Sequence, residues 1–331
     1  MAGYLKPVTI VGGGLAGLSL GIALLRRGVA VTVHEAGHYP RHRVCGEFIS
    51  GVADETLERL GIFSHLRDAA PLRSARWYSP EGPVAALDVE ARGISRYLLD
   101  DRLQADFRKS GGTLLTGSRV PSGEQVVWAA GRPRTPSRWI GLKCHVKGLE
   151  LSSDLEMHLG SNGYVGLAKI EGGEVNVCGL FRAAPGRGGR GALAGSLRAG
   201  GLGRLAERIF SARPDPDSFC AVAGFVFGRQ PGPEFSVGDA AQMIPPFTGN
   251  GMSMAFESAA CALGPLLEFA AGKLGWDEAA AAAQAAQRRT FRRRLSVAIR
   301  LQQLLDFAPG LACSLARYGC LPAGFLLRLV R

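Results

Sequence analysis

No two of the seven cysteines stand in a Cys-x-x-Cys spacing, and seven is an odd number. Cys45, Cys144, Cys178, Cys220, Cys261, Cys313 and Cys320 therefore suggest neither a disulfide framework nor a zinc site. A reducing, cytoplasmic setting is expected. Apolar runs long enough to cross a bilayer are missing. The apolar N-terminus has no basic start and is broken by Gly12, Gly13, Gly14 and Gly17, which argues against a signal peptide. Acidic residues are fewer than basic ones, 28 against 39, and the net charge is +11. That charge favours anionic partners. No motif for reading nucleic acid accompanies it, so nucleic acid is not an expected partner. With 47% hydrophobic and 20% charged residues, the 331-residue chain is globular and long enough for two domains.

Glycine, at 46 residues, is what the chain has in plenty, and its placement carries the first signal. Residues 7–35 are PVTIVGGGLAGLSLGIALLRRGVAVTVHE. The β-branched run 8–11 predicts a buried strand, residues 15–27 a helix, and residues 30–33 a second strand. Gly12, Gly14 and Gly17 form Gly-x-Gly-x-x-Gly at the strand-to-helix turn. Gly12 permits the tight turn, Gly14 lets a pyrophosphate approach, and Gly17 lets helix and strand pack closely. The backbone of Leu15 and Ala16, at the helix start, offers free N–H groups and a positive dipole end. Glu35, just past the second strand, can accept hydrogen bonds from a ribose diol. This pattern marks a dinucleotide site but does not separate NAD from FAD.

The stretch SVGDAAQMIPPFTGNGMSMAFESA, residues 236–259, makes that separation. A Gly-Asp pair, a Pro/Gly loop and a helix resemble the second FAD fingerprint of the flavin-dependent monooxygenase superfamily. That superfamily includes the aromatic hydroxylases and the geranylgeranyl reductases. The resemblance implies that Asp239 meets the ribitol chain, and that Pro245, Pro246 and Phe247 wall the ring. It also implies that Gly249, Asn250 and Gly251 bring N–H groups to the pyrimidine edge, with the helix from Met252 aiming its dipole there. Arg96 matches the arginine that opens the family's second entry into the FAD domain. Where many members carry Asp-Gly, this chain has Ala130-Gly131, so direct use of NAD(P)H is less firmly implied. NAD(P)H or another reductant is the expected electron source. The Trp-x-Trp signature of flavin halogenases is absent, which argues against halogenation.

Residues 34–50, HEAGHYPRHRVCGEFIS, hold a Cys-Gly-Glu that resembles the flavin-side loop of geranylgeranyl reductases. Arg41 and Arg43 would neutralise phosphate or ribityl oxygens, and Cys45 is the one catalytic candidate. A buried packing cysteine is an equal alternative. His34, His38 and His42 recur every four residues, but Gly37 and Pro40 forbid the helix that would align them, so no metal site is expected.

The expected architecture is α/β: a Rossmann-like FAD-binding lobe, an inserted antiparallel β-sheet substrate lobe, and C-terminal helices. The cofactor lobe is expected in residues 1–72, 96–135 and 230–275, the β-rich lobe in 73–95 and 136–229, and the helical segment in 276–331. His158 is expected on a solvated strand face, with Tyr164 a candidate substrate contact. Residues 185–205 are expected to be a mobile loop leading into a small helix. The arginines 288, 289, 292, 293 and 294 are expected on a solvated helix face. The apolar tail 311–331 would close the substrate cavity or touch a membrane surface. The leading expectation is a monooxygenase of an apolar or aromatic small molecule. The alternatives are a reductase or dehydrogenase acting on carbon–carbon double bonds, and an inactive protein that binds a membrane surface. Nothing in the sequence sets the oligomeric state.

Overall fold

The computed structural model describes residues 5–120, 123–133, 135–182 and 191–307. In chain order the elements open with β1 (Val8–Val11), α1 (Leu15–Leu25), β2 (Val31–Glu35), β3 (Phe48–Ser50) and α2 (Asp54–Leu60). They continue with β4 (Ala70–Ser79), β5 (Gly82–Gly93), α3 (Arg96–Lys109), β6 (Thr113–Thr116), β7 (Val126–Trp128) and β8 (Trp139–Lys147). Next come β9 (Leu155–Gly160), β10 (Gly163–Lys169), β11 (Val175–Arg182), α4 (Gly191–Ala199) and α5 (Gly203–Ser211). The last are β12 (Arg213–Pro214), β13 (Cys220–Ala223), β14 (Gly228–Arg229), β15 (Gln242–Met243), α6 (Gly251–Ala270) and α7 (Trp276–Phe307).

A four-stranded parallel sheet has the order β6-β2-β1-β7. Strand β1 is apolar except for the half-buried Thr9 because helices cover it. Helix α1 is buried from Leu15 to Leu24, as an apolar-all-round helix must be. It lies between α3 and α6. Phe107 of α3 fills the space above two glycines: a Cβ on Gly21 would stand 2.6 Å from its ring, and one on Gly112 2.4 Å.

The second sheet runs β12-β8-β11-β10-β9-β4-β5-β3, with β13 also on β8. Its pairs are antiparallel except β4 with β9, so the inserted sheet is mixed where a purely antiparallel one is expected. The parallel pair arises because the chain leaves for the first lobe after β5 and re-enters this sheet at β8 before making β9. Strand β8 alternates strictly. Leu142, Cys144 and Val146 pack under α4 and α5 with Leu193, Leu197, Leu205 and Ile209. Gly141, Lys143 and His145 point the other way, toward the first lobe. That inner face continues as an aromatic cluster of Trp139, Tyr164, Phe225 and Phe247 with Leu180 beside it, against which Leu301 and Leu305 of α7 pack.

Three expectations change. His158 is buried, bonded to Glu156 at 2.8 Å and stacked on Tyr78, because Glu156 and Arg208 of α5 make that strand face a polar interface and not a wet one. Arg294 turns inward to pair with Glu257, while Arg288, Arg289, Arg292 and Arg293 stay exposed. The small helix expected by residue 205 is two helices, α4 and α5; residues 183–190 and the tail 308–331 lie outside the described residues. No helix among the described residues is long and apolar enough to cross a membrane.

Phe107→Ala should cost about 3–5 kcal/mol of stability through the void it leaves. Urea unfolding followed by far-ultraviolet circular dichroism measures it; a loss under about 1 kcal/mol would show that α1 and α3 close the gap.

Candidate functional site

The turn after β1 is built to let something close to the backbone. Gly12 has φ +112, and a Cβ there would lie 2.2 Å from the Ala129 carbonyl oxygen. A Cβ on Gly17 would lie 2.0 Å from the Gly12 carbonyl oxygen. Gly14 differs: a Cβ there meets nothing nearer than Arg96 Nη2 at 4.0 Å. No side chain caps α1, and its first turn holds no acid. The leading N–H groups, those of Leu15 and Ala16 included, are free for an anion.

Glu35 closes this turn from the side. Its Oε2 accepts from Gly13 N at 2.8 Å, and its Oε1 accepts from Gly37 N at 2.8 Å and from Arg41 at 2.7 Å. A carboxylate offers about four acceptor positions, so one remains on Oε2. Tyr39 donates its hydroxyl to the Gly13 carbonyl. Arg43 donates to Asp100 at 2.8 Å, and its buried Nη2 stands 3.8 Å from Glu35 without a hydrogen bond. Arg96, at the start of α3, donates twice to Asp100, at 2.8 and 2.9 Å.

The distant segment returns to the same place by strand pairing. Trp128 N donates to Phe235 O at 2.8 Å and Val237 N to Trp128 O at 2.9 Å, so residues 235–237 extend the parallel sheet beside β7. This puts Gly238 and Asp239 at the sheet's carboxyl end, next to the glycine turn. Burial lifts the Asp239 carboxyl above its usual range, against the charges of Arg132 and Arg96. Pro246 lies in a single 3₁₀ turn that ends at Gly249, whose φ is +70. A Cβ on Gly249 would lie 2.2 Å from the Phe48 ring, whereas one on Gly251 meets nothing. Helix α6 begins there, again without a side-chain cap or an acid in its first turn. Asn250 accepts from Ser50 Oγ at 3.0 Å, and Met252 is a core residue that can offer only backbone.

Cys45 sits between the lobes. Its Sγ accepts from Glu47 N at 3.4 Å, and its carbonyl accepts from Asn176 of β11 at 2.9 Å. Burial pushes the thiol up, more than Arg96 beside it pulls it down. It is therefore a thiol at neutral pH and not a standing thiolate nucleophile.

Four residues of this region form a set that sequence patterns did not bring together: His42 and the Cys-Gly-Glu glutamate stood out in the sequence, Lys143 and His145 did not. Glu47 is 0% exposed with φ 57, a backbone region costing of order 1–3 kcal/mol outside glycine. It accepts from His145 Nε2 at 2.5 Å, stands 3.2 Å from Lys143 Nζ, and accepts from Arg96 N at 3.0 Å. Burial alone would raise its pKa, but the bonds and charges of His145 and Lys143 win and hold it below the usual range. Lys143, also 0% exposed, reaches His42 Nδ1 at 3.1 Å, and His42 stacks on Tyr97. The clue lay in the alternation of β8, which puts Lys143 and His145 on the inward face. His34 instead meets Ser118, so the three histidines do not converge. Among the described residues no cluster could hold a metal ion.

Comparison with known proteins agrees with this geometry. Residues 7–70 match the family model described as pyridine nucleotide-disulphide oxidoreductase. A curated menaquinone reductase of Mycolicibacterium smegmatis is 27% identical over 124 residues, 34% of this chain and 29% of that protein. PqsL, a probable FAD-dependent monooxygenase of Pseudomonas aeruginosa, superposes with a TM-score of 0.68 at 16% identity, covering 91% of this chain and 96% of PqsL. The flavin-dependent brominase Bmp2 superposes with a TM-score of 0.73 at 17% identity, covering 98% and 93%. The chain thus has the FAD-binding, monooxygenase-like fold.

Burial, and then the Lys143 charge, holds the His42 ring down at a pKa of about 4, below the usual 6.5 of histidine. Between those values the unfolded chain binds a proton that the folded chain refuses, so stability falls as pH drops through that window. His42→Gln should flatten this part of the stability–pH curve in urea titrations. An unchanged slope would place the titration elsewhere.

Proposed function

We propose that the chain binds FAD between its two lobes and is a flavin-dependent monooxygenase of an apolar or aromatic small molecule. The observation that carries this is the aromatic wall of Trp139, Tyr164, Phe225 and Phe247 on the sheet side of the Pro246–Gly251 loop. Residues 1–72, 96–135 and 230–275 would form the cofactor lobe, and residues 73–95 and 136–229 the substrate lobe.

The uncapped start of α1, with Gly14, Leu15 and Ala16, would hold the pyrophosphate. The remaining acceptor of Glu35 would take a ribose hydroxyl, and Asp239 the ribitol chain. Arg41, Arg43 and Arg96 would neutralise phosphate or ribityl oxygens. Pro246, Gly249, Asn250, Gly251 and the backbone of Met252 would border the ring, where the α6 dipole favours negative charge. Bound FAD would supply the electron transfer and oxygen chemistry, with NAD(P)H or another donor as the reductant. The chain's own residues orient and shield. Tyr164 accepts from Phe247 N at 3.2 Å and lies 3.4 Å from Gln302 of α7, tying the loop, the sheet and the helix together. The closed apolar wall excludes water from the substrate side. PqsL has been solved in complex with 2-aminobenzoylacetate, which supports an aromatic substrate class for a chamber of this form.

Cys45, half-buried between the lobes, supports a second reading, in which a carbon–carbon double bond is reduced and the thiol donates a proton. The partial match to a menaquinone reductase supports the same reading. Oxygen consumption coupled to product formation separates the two. Single-turnover oxidation of the reduced holoprotein that needs oxygen and survives Cys45→Ser supports the monooxygenase. Anaerobic oxidation by substrate, lost in Cys45→Ser, supports the reductase, since a hydroxyl is a far weaker acid than a thiol.

Asp239→Ala should weaken FAD binding by about 1–3 kcal/mol, the cost of unpaired buried polar groups. Fluorescence titration of the apoprotein measures this, and wild-type affinity would remove Asp239 from the site.

A further inference from the structure

Glu47, Lys143, His145 and His42 neither cradle a dinucleotide nor line the aromatic chamber. Burying such charges is costly, and apolar replacements of similar volume are often at least as stable. The arrangement is also directional. Glu47 Oε1 faces Lys143 Nζ and the Arg96 N–H, while Oε2 receives His145 Nε2 at 2.5 Å. On its far side, His145 Nδ1 stands 3.8 Å from Glu174 Oε2, within ion-pair range and a small side-chain shift from a direct hydrogen bond. The Glu174 side chain is 27% exposed, and its other oxygen meets Lys147 at 3.3 Å. A titratable path therefore leads from bulk water through Glu174 and His145 to Glu47. Cys45 adjoins this inner end through the backbone: its sulfur accepts the Glu47 N–H and its carbonyl accepts Asn176 Nδ2. Asn176, paired in register with His145 and 1% exposed, has a buried Oδ1 without a partner, an acceptor free for a donor arriving at this wall.

We propose that His145 and Glu47 form a proton relay between solvent at Glu174 and the Cys45 wall of the site, with Lys143 fixing the carboxylate. The relay rests on the FAD-dependent reading above, because a two-electron step in a closed site takes up or releases protons. In an inward transfer, His145 Nδ1 gains a proton from the Glu174 side while Nε2 gives its proton to Glu47 Oε2. No electron moves and no heavy-atom bond changes; reverse transfer or ring rotation resets the imidazole. His145 is faced by Glu47 from the Cys45 loop, by Lys143 and Lys147 of its own strand, and by Glu174 beside β11. His42 lies edge-on at 5.0 Å; the His145 carbonyl accepts from Asp215 N, and His145 N donates to Ser218 Oγ. Its pH profile belongs to this set.

The test uses flavin-loaded protein in weakly buffered solution with a pH-indicator dye. Bound flavin is photoreduced, and the rate of proton uptake is compared with the rate of bleaching. Uptake in the wild type should keep pace with reduction. In Glu47→Gln and His145→Gln, which keep hydrogen bonds but cannot relay, it should lag by about a hundredfold, the scale of a lost acid–base group. His145→Ala should lag likewise and recover with added imidazole, which a purely structural role would not. Melting curves and flavin content establish folding, and if Glu47→Gln does not fold, His145→Gln and the surface variant Glu174→Gln decide. Uptake that keeps pace in folded, flavin-loaded variants overturns the relay and leaves the FAD reading standing. A wild-type chain that binds no flavin overturns both.

Discussion

Two backbone hydrogen bonds, between Trp128 and the segment 235–237, set the place of almost everything else. They join stretches more than a hundred residues apart as neighbouring parallel strands. Without them the glycine turn after β1 and the loop before α6 would be separate features. With them, two uncapped helix starts and the Asp239 carboxyl share the carboxyl end of one sheet. The chain inserted between them, joined by β3, β4 and β5 from earlier in the sequence, forms the large sheet whose inner face covers that end.

Local chemistry explains which parts of this were legible in the sequence. Gly12, Gly14 and Gly17 belong to one short strand-to-helix turn, so their spacing announces it, although the Ala129 carbonyl that crowds Gly12 comes from far along the chain. The β-branched run of β1 and the alanine-rich start of α7 are equally self-contained. The 235–237 pairing was legible only indirectly, through a resemblance, because no short-range pattern encodes a partner so distant. His158 illustrates the opposite failure. Alternation correctly put it on the face opposite Leu155, Met157 and Leu159, but not that Glu156 and Arg208 would make that face a dry polar interface. Lys143 and His145 were hidden for the same reason: a lysine on a strand is ordinarily at the surface, and only the covering lobe makes it buried.

The polar interior follows a consistent division of labour. On the outer face of β8 the residues are apolar and tightly packed beneath α4 and α5. On the inner face the charges concentrate at one end, around Glu47, and the aromatic rings at the other, around Tyr164. A single sheet surface thus presents a low-dielectric region and a proton-rich one side by side. Such a gradient lets hydrogen bonds at the aromatic end act unscreened while charge is exchanged at the other.

Helix α7 gives this layout a mechanical dimension. Its 32 residues make a rod of about 48 Å at 1.5 Å per residue. Near its middle Arg294 is pinned to Glu257 of α6; farther on, Leu301 and Leu305 press on the aromatic cluster. A beam anchored at one lobe and resting on the other resists clamshell opening, since parting the halves would have to bend it or break the Glu257 anchor. Toward the end of its described length, Gln302 bonds Tyr164 and the Asp306 carbonyl accepts from Arg182, so the rod is fastened to the large sheet at a second point.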